Sequence, residues 1–160
     1  MDSALRYSSM RLRPARSDEA DYLTAIAHAA KRHWGYPEAW IQRWRSQLTI
    51  TPAYLAQNPT FVAEEAGMVV AFVSLAPKDN AAVLDHLWVR PDVMRRGLGR
   101  ALLGHAETAA LRAGAKRLTL TADPHAEDFY RKMGFVTTGR EDASVDSRER
   151  HLPLMEKALV

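Results

Sequence analysis

The stretch "PDVMRRGLGRALL", Pro91 to Leu103, decides how this chain is read. Gly97 and Gly99 stand one residue apart among Arg95, Arg96 and Arg100, directly before an apolar helical run. Glycines at this spacing let a backbone turn without Cβ clashes, so that successive N–H groups face one way. A helix opens at the same place, and its first N–H groups and dipole favour negative charge. The arginines add charge-assisted bonds to an anion. The competing reading is a plain helix start with solvated arginines, and the loop by itself leaves both open. Two known phosphate loops do not fit. A Walker loop needs Gly-Lys-Ser/Thr at its end, where this chain has Arg100 and Ala101. A dinucleotide fingerprint needs a third glycine where Leu102 stands.

Working outward, the pattern changes period along the chain. "RLRPA" (Arg11 to Ala15) alternates as a short strand, and Ser17 is placed to cap a helix whose first turn holds Asp18, Glu19 and Asp21. That helix stops at "HWGYP", a second runs from Glu38 to about Leu48, and "TPAYLAQ" adds a turn. "TFVAEE", "MVVAFVSLA" and "AAVLDHLWV" are strand-like runs separated by the hairpin turns "AG" and "PKDN". After the glycine loop come a helix from Gly99 to Ala113, a strand "KRLTLTA", a short helix "HAEDFYRKM" ended by Gly134, and two final strands. The order β-α-α-β-β-β-α-β-α-β-β predicts an α/β (α+β) fold with a mixed central sheet and flanking helices. One domain over 1–160 is expected, with 1–9 a loose tail.

The 160 residues suffice for one core, and an apolar fraction of 47% fits a globular protein. No run approaches the roughly 20 apolar residues of a membrane span, and the first fifteen residues carry no apolar h-region, so no secretory signal is expected there. The chain has no cysteine, which excludes a disulfide framework, a cysteine-ligated zinc and a cysteine nucleophile, and a cytoplasmic location is the default. His28 and His33 do not share a helix face, so no metal site is expected there. A net charge of +3 argues against a nucleic-acid protein and suits a local site for a small polyanion.

Two segments then carry a resemblance. "LDHLWVRPDVMRRGLGRALL" resembles the central motif of the GNAT superfamily of acyl-CoA-dependent N-acetyltransferases, a strand ending in Val-x-Pro followed by Gln/Arg-x-x-Gly-x-Gly/Ala. "HAEDFYRKMGF" resembles the family's second motif, Ala-x-x-Phe-Tyr-x-x-x-Gly-Phe, and the element order matches the family fold over nearly the whole chain. The resemblance implies acetyl-CoA as acetyl donor, with the pyrophosphate held by the backbone amides of Arg95, Arg96, Gly97, Leu98, Gly99 and Arg100. It implies that Leu87, Trp88 and Val89 offer backbone groups to the pantetheine and the acetyl carbonyl, and that Asp123 lies near the pantetheine. Met94 departs from the family's Gln or Arg in that slot. The family often dimerises through its final strands, so a homodimer is a further expectation.

The chemistry needs a neutral amine, a polarised thioester and a proton for the leaving thiolate. Without cysteine, direct attack in a ternary complex is expected. The resemblance implies that Tyr130, at the family's motif position, is the acid, and a phenol near ~10 is still protonated when a thiolate near ~8.5 needs a proton; the alternative is a tyrosine packed in the core. It also implies a basic group at the Asp85 register of the strand, which makes Asp85 the first candidate base, on one face with Val83, Leu87 and Val89, and His86 on the opposite face the second. The competing reading has Asp85 order water or pair with an arginine. "RHWGYPEAWIQRW" borders the acceptor site by resemblance: Trp34 and Tyr36 are the candidate acceptor contacts, while Trp40 and Trp44 read as a core stripe. The expected activity is acetyl transfer to a primary amine of a small molecule or protein, with a non-catalytic acyl-CoA sensor as the alternative.

Overall fold

The computed structural model describes residues 10–160, so the expected tail over 1–9 lies outside the described residues. The elements are β1 (Met10–Pro14), α1 (Ala20–His33), α2 (Glu38–Arg43), α3 (Pro52–Gln57), β2 (Thr60–Glu65), β3 (Met68–Lys78), β4 (Ala81–Val89), α4 (Leu98–Arg112), β5 (Arg117–Thr121), α5 (Glu127–Lys132), β6 (Val136–Asp142) and β7 (His151–Ala158). The order is the expected one, with α3 as the added turn. Seven strands form a mixed sheet in the order β1-β2-β3-β4-β5-β7-β6. The chain divides into two compact units: one runs to Leu75 and adds His86–Ala106, and the other comprises Ala76–Asp85 and Glu107–Val160.

In the first unit, β3 is buried without interruption from Val69 to Leu75. A strand covered on both faces reads as a continuous apolar run rather than an alternating one. The β2–β3 hairpin turns on Ala66 and Gly67, both with positive φ, as a two-residue hairpin turn requires. Helix α1 lays Leu23, Ile26, Ala27 and Ala30 on one buried stripe. Leu23 and Ile26 join a core with Ile50, Val62 and Phe72, each large side chain stabilising the fold by about 1.5–3 kcal/mol. The second helix ends at Arg43, short of Leu48. Beyond it the backbone tightens into turns, the Leu48 N–H donating to the carbonyls of both Trp44 and Arg45 at 3.1 and 3.2 Å.

Ser17 does not cap α1. Ser17–Glu19 forms a separate 3-10 turn, and no side-chain cap comes from Ser17. The Glu19 carboxylate accepts the Arg16 N–H at 2.7 Å and both arms of the Arg13 guanidinium at 3.0 and 2.8 Å. Arg13 also donates to Glu64 at 2.7 Å, which fastens the entrance of α1 to the β1–β2 pair. A bidentate charged contact outweighs a neutral hydroxyl cap. The Arg13 hydrogen bond holds the Glu19 carboxyl below its ordinary range. Its stabilisation is therefore complete above the unfolded value near ~4.3 and lost as pH falls through the lower folded one. Glu19→Gln is expected to destabilise by about 1–3 kcal/mol at neutral pH. Urea titration of both proteins should show that gap closing towards pH 3; a constant gap would refute the assignment.

In the second unit, β4 pairs in parallel with β5 over Ala81–Val83, and β5 and β6 each pair antiparallel with β7. A parallel pair needs a crossover, which the glycine loop and α4 supply. Leu118, Phe135 and Met155 are fully buried here. Gly134 ends α5 with φ +97, and a Cβ there would come within 3.2 Å of Lys157 Cε. Lys157 Nζ donates to the Met133 carbonyl at 2.8 Å and to Glu107 at 2.9 Å, closing the end of α5.

Candidate active site

The loop between β4 and α4 is pinned at both ends. The Arg90 N–H donates to the Val70 carbonyl at 2.9 Å, Val93 is buried, and Leu98 turns inward as α4 begins. Between these anchors the chain alternates: Arg95 has φ +66, Arg96 does not have positive φ, Gly97 has φ +82, and Leu98 is helical. Met94 has φ −62 and ψ 157 and Arg95 has φ +66, the torsions of a type II turn that closes at Arg96. That turn directs the Arg96 N–H back towards Val93, while the N–H groups of Arg95 and of Gly97 through Arg100 form no hydrogen bond with the described residues; the first bond into the helix is Ala101 N–H to the Gly97 carbonyl at 3.0 Å. These donors stand at the head of a four-turn helix.

The two glycines do different work. Gly97 needs its left-handed backbone, while Gly99 lies inside the first turn of α4 with ordinary helical φ. The second left-handed residue is Arg95, a strained conformation for a side chain with a Cβ. Arg96 pairs loosely with Glu65 at 3.6 Å. Arg95 and Arg100 are exposed and form no ion pair among the described residues. Two guanidiniums and the amides at the head of α4 suit a multiply charged anion.

Upstream, Leu87, Trp88 and Val89 are half-buried at the end of β4. The Trp88 indole N–H donates to His86 Nδ1 at 2.9 Å, so the two side chains share a face. Indole is only a donor, hence Nδ1 is the acceptor and the neutral imidazole carries its proton on Nε2. His86 also packs against the rings of Tyr54 and Phe72, at 5.7 and 6.0 Å between centroids. Asp85 lies on the other face and is exposed.

The aromatics that follow α1 are gathered by a residue that the sequence reading passed over. Lys31 Nζ lies 4.5 Å from the Trp44 ring centroid, 4.9 Å from that of Tyr36 and 6.0 Å from that of Trp88. Lys31 is only 9% exposed, so its ammonium sits in an aromatic cage that replaces part of its hydration. Tyr36 stacks on Trp40 at 6.1 Å and meets Trp44 edge-on at 5.1 Å. Tyr36 and Trp44 therefore belong to one cluster, although the sequence reading separated them. Trp34 is exposed and edge-on to His33. A lysine one turn before four spaced aromatics was the available signal.

The second unit holds Tyr130, Asp85 and Asp123. Tyr130 on α5 is 8% exposed, edge-on to Phe129 at 5.2 Å and Phe135 at 5.6 Å. Its hydroxyl forms no hydrogen bond with the described residues. Every fully buried side-chain nitrogen and oxygen among them has a partner, so this hydroxyl reaches the molecular surface. Burial pushes the phenol well above its ordinary value near 10. Asp123 is tied to its own unit: one oxygen accepts the His125 N–H at 2.9 Å and meets His125 Nδ1 at 2.8 Å, and the other meets Arg150 at 3.4 Å. Its carboxylate caps the turn after β5. No group of three or more metal-ligating side chains gathers among the described residues, and no helix is long and apolar enough to cross a membrane.

Comparison with known proteins bears on the same regions. Residues 22–153 match the Acetyltransferase (GNAT) domain. The peptidyl-lysine N-acetyltransferase YjaB of Escherichia coli K12 is 32% identical over 122 residues, covering 73% of this chain and 76% of that protein. The crystal structure of a GCN5-related N-acetyltransferase from Rhodopseudomonas palustris superimposes with a TM-score of 0.79 at 28% identity, over 94% of this chain and 96% of the other. The PaiA N-acetyltransferase of Thermoplasma acidophilum, solved with coenzyme A, shares the fold at a TM-score of 0.76 and 22% identity, over 94% of this chain and 99% of the other. With the domain match spanning most of its length, the chain belongs to the GNAT family and is an acyl-CoA-dependent N-acyltransferase.

Proposed function

We propose that the protein transfers the acetyl group of acetyl-CoA to a primary amine, a protein lysine foremost, by direct attack in a ternary complex. The observation that carries this is the set of unbonded N–H groups of Gly97 to Arg100, with that of Arg95, at the head of α4. The 3′-phosphorylated nucleotide of coenzyme A brings a pyrophosphate, which such a set with two unpaired guanidiniums is suited to hold. The similarity to a peptidyl-lysine acetyltransferase supports lysine as the acceptor.

The thioester supplies an activated acyl group. Leu87, Trp88 and Val89 hold the pantetheine arm and the acetyl carbonyl through their backbone, and Trp34 and Tyr36 border the amine. Asp85, directly or through water, takes the proton that the ammonium must lose before its nitrogen can attack. The new C–N bond forms as the C–S bond breaks, and Tyr130 donates its phenolic proton to the departing thiolate. The second proton that the nitrogen sheds on becoming an amide passes to solvent, and a proton from solvent restores the phenol. His86 keeps its Nδ1 lone pair on Trp88 and serves the shape of the site.

The test is incubation with acetyl-CoA and a lysine-containing peptide, following free thiol and peptide mass together. One acetylated lysine per thiol released is the expected result. Tight acetyl-CoA binding without turnover on peptide, polyamine or aminoglycoside would overturn it in favour of a sensor.

A further inference from the structure

The segment from His28 to Arg45 carries Lys31, Arg32, Arg43 and Arg45 against the single carboxylate of Glu38, so its formal charge of +3 equals that of the entire chain. It is one of two basic stretches, since Arg90 to Arg100 also sets four arginines against one aspartate. It is also interleaved with Trp34, Tyr36, Trp40 and Trp44. Arg32 is held by Glu38 in a two-armed bond at 3.1 and 2.9 Å, which neutralises one charge. Arg45 is exposed and forms no ion pair among the described residues. His28 registers the surplus: desolvation first, then Arg32 and Arg45, hold its imidazole below the ordinary value.

The Lys31 cage fixes where this charge stands. Its ammonium joins the end of α1 to Tyr36, to Trp44 and to Trp88 of β4. The basic segment is thereby fastened beside the strand proposed to carry the acetyl carbonyl. A cationic rim at that place repels a bare polyamine and attracts an amine flanked by carboxylates.

We infer that the His28–Arg45 segment is the acceptor-docking surface and selects a lysine set in an acidic protein segment. This rests on the lysine reading proposed above. A single-stranded nucleic acid is the other polyanion that arginines and aromatics suit; the modest total charge and the carboxylate of Glu38 within the patch favour a peptide.

The experiment uses three labelled peptides with one central lysine, flanked by Asp/Glu, by Ser/Gly or by Arg, and a single-stranded oligonucleotide. Binding is read by anisotropy in the presence of coenzyme A, and acetylation by mass. The acidic peptide should bind at least ~10-fold more tightly than the neutral one at low salt, the gap shrinking as salt screens it. Arg45→Glu should erase the preference with the thermal midpoint unchanged, and Arg45→Gln should reduce it. Equal binding of acidic and neutral peptides, or tighter binding of the oligonucleotide, overturns the inference. Acidic peptide bound but never acetylated would uphold the surface while refuting lysine as acceptor. Equal acetylation of all three peptides with equal affinity would do the reverse.

Discussion

Gly97→Val is expected to weaken acetyl-CoA binding by roughly 100-fold or more while leaving a folded protein. Gly97 has φ +82, and a Cβ built there meets no atom within 4 Å. Packing would admit the larger residue; the backbone conformation would not, because a β-branched side chain in the left-handed region costs about 1–3 kcal/mol. The loop relieves that strain by rotating away from φ +82, and the geometry that aims the N–H groups of Gly97 to Arg100 is lost. Several charge-assisted bonds disappear together, at ~1.5–3 kcal/mol each. Gly97→Ala, with a smaller strain, should fall between. Calorimetric titration beside a melting curve measures both quantities. Normal affinity in the valine variant would mean that the amide row does not hold the pyrophosphate.

Tyr130→Phe is the second large effect, expected in turnover: a loss of about 100-fold or more in kcat with little change in acetyl-CoA affinity. The substitution keeps the ring contacts with Phe129 and Phe135 and removes a hydroxyl that forms no bond inside the protein. Stability at neutral pH should therefore hardly move, which separates a proton-donor role from a packing role. Desolvation raises the folded phenol above the unfolded value near ~10. The folded state retains this proton while the unfolded state gives it up, so stability is full below pH ~10 and declines as pH climbs beyond it. Wild type should show that alkaline decline more steeply than Tyr130→Phe. In the rate profile, the phenol stays a competent donor throughout the neutral range, and an alkaline limb below pH 9 would belong to another group. Unchanged turnover in the phenylalanine variant across pH would assign the proton to water.

Much of this was legible from local rules. The β2–β3 turn at Ala66-Gly67, the stop of α5 at Gly134 and the placing of His86 opposite Asp85 all follow from backbone sterics or the period of a strand, and the structure has each of them. The loop was legible as a glycine turn that opens a helix among arginines, though the division of labour within it was not. Nothing local announces that Arg95 takes φ +66, because only the pinned flanks at Val93 and Leu98 force a residue with a Cβ into that region. Ser17 misled for a related reason. The true closure of that helix comes from Arg13 and Glu64, the latter distant in sequence, so a local cap rule could not see it. Lys31 was hidden most completely, since its three rings come from a loop, a turn and a strand. The catalytic roles of Tyr130 and Asp85 came from resemblance, and the structure adds an unbonded phenol tip and an exposed carboxylate as support for them.

The strained Arg95 has a consequence in time rather than in energy. A loop that already holds Arg95 and Gly97 in left-handed conformations between buried Val93 and Leu98 has no ordering step left to perform when an anion arrives. Capture should then follow a single exponential whose rate rises linearly with ligand concentration, without the plateau that a slow rearrangement imposes. With two exposed guanidiniums flanking the loop, that rate should fall with ionic strength. Donor capture would then be fast and reversible, and the slower events of each catalytic cycle would lie on the acceptor side.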